Sequence, residues 1–142
     1  MRSAGGRRVT RDPLGSALGN HQRGRIGVAT GEIAACVARR DSFAFETTLS
    51  GLGYLRHIRA WRAVGYHVRL LFLSLPSVEL AIERVALRVR HGGHDIPQDV
   101  IRRRFESGRR NFDTTYSDAV DDWVLFDNSD VKPIEMARSQ AP

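Results

Sequence analysis

The side chains of this sequence best equipped to act on phosphate are arginines. Arg84 and Arg88 stand four residues apart on one face of a predicted helix, and Arg103 and Arg104 follow beyond the Gly92-Gly93 pair. Guanidinium groups can grip phosphates through a rigid fork of donors; the alternative for any single one is a solvated charge, which across the arginine-rich 102–110 run should hold for most members. Other chemistries are poorly served. His21, His57, His67 and His91 show no metal-ligand spacing, and Cys36 is the only cysteine, which excludes an internal disulfide or a cysteine-based zinc site. His94 lies between Gly93 and Asp95, a setting that suits fixing a turn by hydrogen bonding better than acid–base work. Glu46 with Thr47 and Thr48 closes a short aromatic run and offers one carboxylate and two hydroxyls at its end.

The positive charge is unevenly placed. Arg2, Arg7, Arg8, Arg11, Arg23 and Arg25 against Asp12 supply +5 of the chain's +6, so the body is nearly neutral. A basic arm can bind nucleic acid electrostatically. No aromatic residue interrupts this one to stack on bases, so residues 1–25 are expected to be a disordered basic arm without a nucleic-acid partner. At 142 residues there is room for one hydrophobic core. No apolar run nears the about eighteen residues of a membrane span. A cytoplasmic protein with no membrane partner is the expectation.

From Ile26 the pattern becomes periodic. Ile26, Ala29, Ile33, Cys36 and Val37 predict a helix ending at Arg39-Arg40, and Ser42 to Glu46 reads as a buried strand. Tyr54, Leu55, Ile58 and Trp61 predict an amphipathic helix closed by Gly65. Tyr66 to Leu73 is the clearest strand, apolar enough to be covered on both faces. Ser77 is the expected N-cap of a helix with Val78, Ile82, Val85 and Val89 as its apolar stripe, stopped at Gly92-Gly93. Pro97 opens another helix, with Ile101, Phe105, Gly108 and Phe112 facing inward and Arg103 and Arg110 outward. Trp123 to Phe126 predicts a last strand, followed by a flexible tail over residues 137–142. Helices alternating with strands imply an α/β fold with a largely parallel sheet, occupying residues 26–136.

Three phrases, in this order, resemble the zeta-toxin-like branch of P-loop kinases, a group that includes UDP-N-acetylglucosamine kinase-like proteins. They are Ser42-Phe-Ala-Phe-Glu-Thr-Thr-Leu-Ser-Gly51, the stretch from Arg84 through Gly92-Gly93-His94 to Pro97 continued by Val100 to Phe105, and Phe126-Asp-Asn-Ser129. The resemblance implies ATP- and Mg²⁺-dependent transfer of a phosphoryl group to a hydroxyl of a small molecule such as a nucleotide sugar, with an antitoxin protein as a further partner. It places Glu46, Thr47 and Thr48 beside the acceptor at a strand end. It makes Arg88 and Arg103 the phosphate-stabilising pair on a helical lid, with Arg84, Arg104 and His94 in support, and puts Asn128 at the nucleotide.

The resemblance also exposes what the sequence lacks. A P-loop needs Gly-x-x-x-x-Gly-Lys-Ser/Thr, whose backbone amides cradle the phosphates and whose lysine reaches the terminal ones. Gly24 to Gly31 has neither the spacing nor a lysine, and the one lysine present is Lys132. The fold class read from this is an incomplete P-loop kinase-like parallel sheet with flanking helices and an arginine-bearing lid, missing its central strand. The strands at residues 43–45 and 70–73 should then run parallel, pairing directly or standing one strand-width apart. The expected function is that of a truncated kinase, inactive as this polypeptide. Two readings of other classes compete: an arginine-rich nucleic-acid-binding module and a non-catalytic interaction domain.

Overall fold

A computed structural model describes residues 26–140, with side chains from residue 31 onward. The basic arm at 1–25 lies outside the described residues. The chain divides into two units after Phe43. The first contains helix α1, Ile26–Arg39. Arg40 closes it in the left-handed conformation (φ 58°), with the Asp41 amide bonded back to the Cys36 carbonyl at 2.9 Å.

The second unit is built from α2 (Tyr54–Ala63), β1 (Arg69–Ser74), α3 (Val78–Arg90), α4 (Gln98–Asn111), a π-helical turn (Phe112–Tyr116), the short turn α5 (Ser117–Ala119), β2 (Asp122–Asp127) and β3 (Ile134–Arg138). Punctuation follows the sequence signals closely. Gly65 takes φ 95° just past α2, and Gly92 takes φ 87° just past α3, where a side chain would be strained. The Ser77 hydroxyl accepts from the Leu80 amide at 3.3 Å and so caps α3. Pro97 stands immediately before α4.

β1 and β2 pair in parallel from Arg69 opposite Asp122 to Ser74 opposite Asp127, and the helices between them form the crossover that parallel pairing requires. The core lies on the face of β1 and β2 that carries Phe72 and Trp123. Phe112 is 3% exposed there, stacked on Phe72 at 4.6 Å and edge-on to Trp123 at 5.3 Å. Ile101, Gly108 and Phe112 are buried and Phe105 half-buried, as the α4 spacing requires.

Three expectations need correction. Residues 42–46 form no strand. A strand satisfies its backbone only beside a neighbour, and this segment belongs to no sheet among the described residues. Phe45 sits half-buried instead in a ring cluster, 4.8 Å from Tyr54 and 5.9 Å from Trp61. The expected parallel relation between residues 43–45 and 70–73 therefore does not arise.

The sheet is mixed rather than parallel, because β3 pairs antiparallel with β2, with a register shift between Leu125 and Phe126. All five β3 residues are exposed. Ile134-Glu-Met-Ala-Arg138 thus lacks the apolar signal of a buried strand and is held chiefly by backbone bonds, its Glu135 and Arg138 being charges of the kind that guard an edge. The strand also runs to Arg138, and the Ser139 amide bonds the Trp123 carbonyl at 3.0 Å, so ordered structure continues past residue 136.

At the N-terminal ends of β1 and β2, Asp121 locks the sheet to α2. Its carboxylate accepts from the Val68 amide at 2.7 Å and from Arg62 at 3.0 Å. The amide hydrogen bond, with Arg62 alongside, holds this carboxyl below its ordinary range. Asp122 is held down in the same way by Arg69 and His67.

Candidate functional site

The opposite end of the sheet is where the polar side chains of α3 and α4 converge. Open α/β sheets place ligands beyond the carboxyl ends of their parallel strands, here Ser74 and Asp127. The Asn128 amide bonds the Ser74 carbonyl at 2.8 Å, which continues the β1–β2 ladder one step past Asp127. Arg84 reaches across from α3 to the Ser129 carbonyl at 2.8 Å. Arg84 and half-buried Asn128 are therefore brought to one place, as are their elements. The Ser129 hydroxyl and amide both donate to Asp127, and the hydroxyl is the main cause holding that carboxyl below its ordinary range.

Arg109 joins this edge from α4. It donates to Asp113 at 2.8 Å and to the Ser74 hydroxyl at 3.3 Å. By its spacing it is one more arginine of the 102–110 run, a charge that solvent alone would satisfy. The signal that would have found it is its place one residue after Gly108, the buried glycine of the helix.

The acceptor loop is held by α4 and the π-turn rather than by a strand. Gly108 lets the helix backbone approach so closely that a Cβ there would lie 2.6 Å from the Thr48 carbonyl oxygen. Asn111, 8% exposed, donates its side-chain amide to the Leu49 carbonyl at 2.8 Å. Tyr116, fully buried, donates its hydroxyl to the Gly51 carbonyl at 2.7 Å; burial pushes its own ionisation upward. Between these anchors Leu49 is buried with φ 55°. Such a left-handed leucine persists only where surroundings over-determine it, and strained residues of this sort gather at functional sites. The π-turn that supplies Tyr116 is a feature with the same tendency.

Within this loop the Thr47 hydroxyl accepts from the Leu49 amide at 3.2 Å, and Thr48 bonds Ser50 at 2.8 Å. Glu46 is exposed and makes no ion pair or hydrogen bond among the described residues. The three residues thus sit in an irregular, clamped loop and not at the end of a strand.

Arg88, Arg103 and Arg104 are exposed, and none has a hydrogen bond or ion pair among the described residues. Their neighbour Arg102 is engaged with Glu79 at 3.3 Å. The turn that separates the two helices is fixed by the Gly93 amide bonding the Arg88 carbonyl at 2.9 Å, with Gly93 so close that a Cβ would lie 2.8 Å from the Arg88 Cγ. His94 and Asp95 are exposed, and among the described residues neither hydrogen-bonds to fix the turn; the backbone does that work. No three His, Cys, Asp or Glu side chains gather into a metal-binding group among the described residues. No helix among them is long and apolar enough to cross a membrane.

Comparison with known proteins gives the family. The family model described as zeta toxin matches residues 27–135. An uncharacterized protein of Haemophilus influenzae (strain ATCC 51907 / DSM 11121 / KW20 / Rd) is 27% identical over 94 residues, covering 66% of this chain and 66% of the relative. No solved structure matches the chain.

Proposed function

The chain belongs to the zeta toxin family, and from that premise we propose that it is the acceptor-and-lid portion of an ATP-dependent phosphotransferase acting on a hydroxyl of a small molecule such as a nucleotide sugar. The reading is of an incomplete P-loop kinase-like α/β fold. Glu46, Thr47 and Thr48 bind the acceptor. Arg88 and Arg103 grip phosphate oxygens, Arg84, Arg104 and His94 support them, and Asn128 meets the nucleotide. An antitoxin-type protein is the regulatory partner the family suggests.

One observation carries the proposal: the arginine helix and the acceptor loop are parts of a single packed assembly. α4 bears Arg103 and Arg104 in its middle and, less than two turns on, presses Gly108 against Thr48 and anchors Leu49 through Asn111. Phosphoryl transfer depends on holding the acceptor and the charged group in register, and a shared rigid helix does that. The exposed, unengaged guanidinium groups of Arg88 and Arg103 are available to an incoming phosphate, where a fork of donors grips two oxygens at once.

Family membership implies nucleotide binding in general, but the residues of this chain do not by themselves fit a Mg²⁺-triphosphate group. No glycine-rich lysine motif is present, Lys132 lies in the β2–β3 connection, and no cluster of metal donors forms among the described residues. The 142-residue polypeptide is therefore expected to bind anionic ligand without transferring phosphate. Titration with UDP-N-acetylglucosamine and a kinase assay with ATP test this. Saturable binding weakened about tenfold or more by Arg88→Ala or Arg103→Ala supports it, since charge-assisted contacts are each worth about 1.5–3 kcal/mol. Binding indifferent to both variants overturns the residue assignment, and turnover above blank overturns the expected inactivity.

A further inference from the structure

β1 ends the sheet on the side away from β2, and the structure shows which of its backbone groups are left open. In a parallel ladder alternate residues of a strand direct their N–H and C=O toward the same neighbour. The Val68 carbonyl accepts from the Asp121 amide and the Ser74 carbonyl from the Asn128 amide, so even-numbered residues face β2. Arg69, Leu71 and Leu73 therefore direct theirs outward, with no strand beside them among the described residues.

The two edges of the sheet are defended differently. β3 carries Glu135 and Arg138 along the outer edge, whereas Leu70 to Leu73 holds no charge, proline or bulge, the devices that discourage edge pairing. The side chains of Leu71 and Leu73 are also 43% and 37% exposed on one face. Arg69, at the start of the strand, is already occupied by Asp122.

We propose that this edge pairs antiparallel with the same edge of a second copy, joining two sheets about a two-fold axis. Two-fold pairing brings together residues whose side chains share a face, and the outward-directed residues must meet one another. Leu71 opposite Leu73 of the second copy, and the reverse, satisfies both conditions. It leaves Phe72 on the axis and sets Arg69 outside the paired stretch. No like charges meet in this register, so identical copies are electrostatically compatible. The open backbone groups then gain the partners that a buried strand requires.

Sedimentation of the full chain across the micromolar range tests the idea. The expected mass rises with concentration toward twice the 15.9 kDa of one chain. Replacing both leucines with lysine (Leu71→Lys with Leu73→Lys) sets lysines opposite each other and weakens association at least about tenfold. Leu71→Lys combined with Leu73→Glu pairs opposite charges in this register alone and restores association, and Met136→Lys on β3 leaves it unchanged. Amide exchange reads the same contact without substitution: Leu71 and Leu73 slow as concentration rises, while Leu70 and Phe72 are protected throughout. A chain monomeric at all concentrations overturns the proposal, whether the Leu71 and Leu73 amides stay open or are protected by the chain itself. Association that survives the double lysine variant, or that the lysine–glutamate variant fails to restore, overturns it equally.

Discussion

Replacing Gly108 with alanine and Gly31 with alanine makes the same chemical change in two helices, and the structure predicts opposite signs. In α1 a Cβ on Gly31 meets nothing within 4 Å. Alanine there gains only the difference in helix propensity, about 0.5–1 kcal/mol in favour of the helix. In α4 a Cβ on Gly108 would lie 2.6 Å from the Thr48 carbonyl oxygen, a backbone atom in a loop fixed on both sides. The helix and the loop have to part by close to an ångström to restore ordinary contact. Overpacking of this kind costs about 1–3 kcal/mol.

The movement also draws Asn111 from the Leu49 carbonyl, a 2.8 Å bond on a buried residue. Leaving those groups unmet costs about 1–3 kcal/mol more. Against a propensity gain of about 1 kcal/mol, Gly108→Ala should destabilise the second unit by about 1–5 kcal/mol. Urea unfolding followed by the fluorescence of Trp61 and Trp123, both in that unit, measures this, and circular dichroism reports the gain in α1 for Gly31→Ala. A Gly108→Ala variant as stable as the parent would refute the close approach of α4 to Thr48, and with it the clamped acceptor loop.

Two further outcomes follow, one from the same loop and one from the other end of the sheet. Asn111→Ala leaves the Leu49 carbonyl without its buried donor and should cost about 1–3 kcal/mol, with susceptibility of residues 46–51 to proteolysis rising; an unchanged urea midpoint would contradict the anchor. The Asp121 carboxyl is held below its ordinary value by the Val68 amide and Arg62, so its stabilising effect is complete above about pH 4 and is lost as pH falls through the lower folded-state value. Asp121→Asn should therefore be less stable at neutral pH and lose less on acidification below about pH 4, Asp122 still titrating in the same direction. Parallel stability–pH curves for the two proteins would show that Asp121 is not linked to folding.

How much of this was legible beforehand depended on the range of the forces involved. Helix ends were readable because they are local: Ser77, Gly65 and Gly92 act on backbone groups within four residues of themselves. The inward face of α4 was readable because a 3.6-residue period records burial directly, and β1 and β2 because a short apolar run marks a strand, although the cover expected on both faces of β1 is absent: Leu71 and Leu73 are exposed on one of them. The arginines, the composition of residues 42–51 and the absence of a lysine-bearing phosphate loop are likewise properties of the residues themselves.

What the sequence could not decide were relations set by distant partners. Residues 42–46 have strand composition, yet a strand exists only where another backbone lies alongside, and Phe45 gained more from the rings of Tyr54 and Trp61. β3 has no strand composition, yet forms because the exposed side of β2 offers hydrogen-bonding groups, which are indifferent to side-chain pattern. Arg109 is one arginine among several in sequence, and only the packing of α4 turns it toward Ser74. Gly108 reads as a small inward-facing residue; that it must be glycine was decided by the Thr48 carbonyl, sixty residues away in sequence and within contact distance in space.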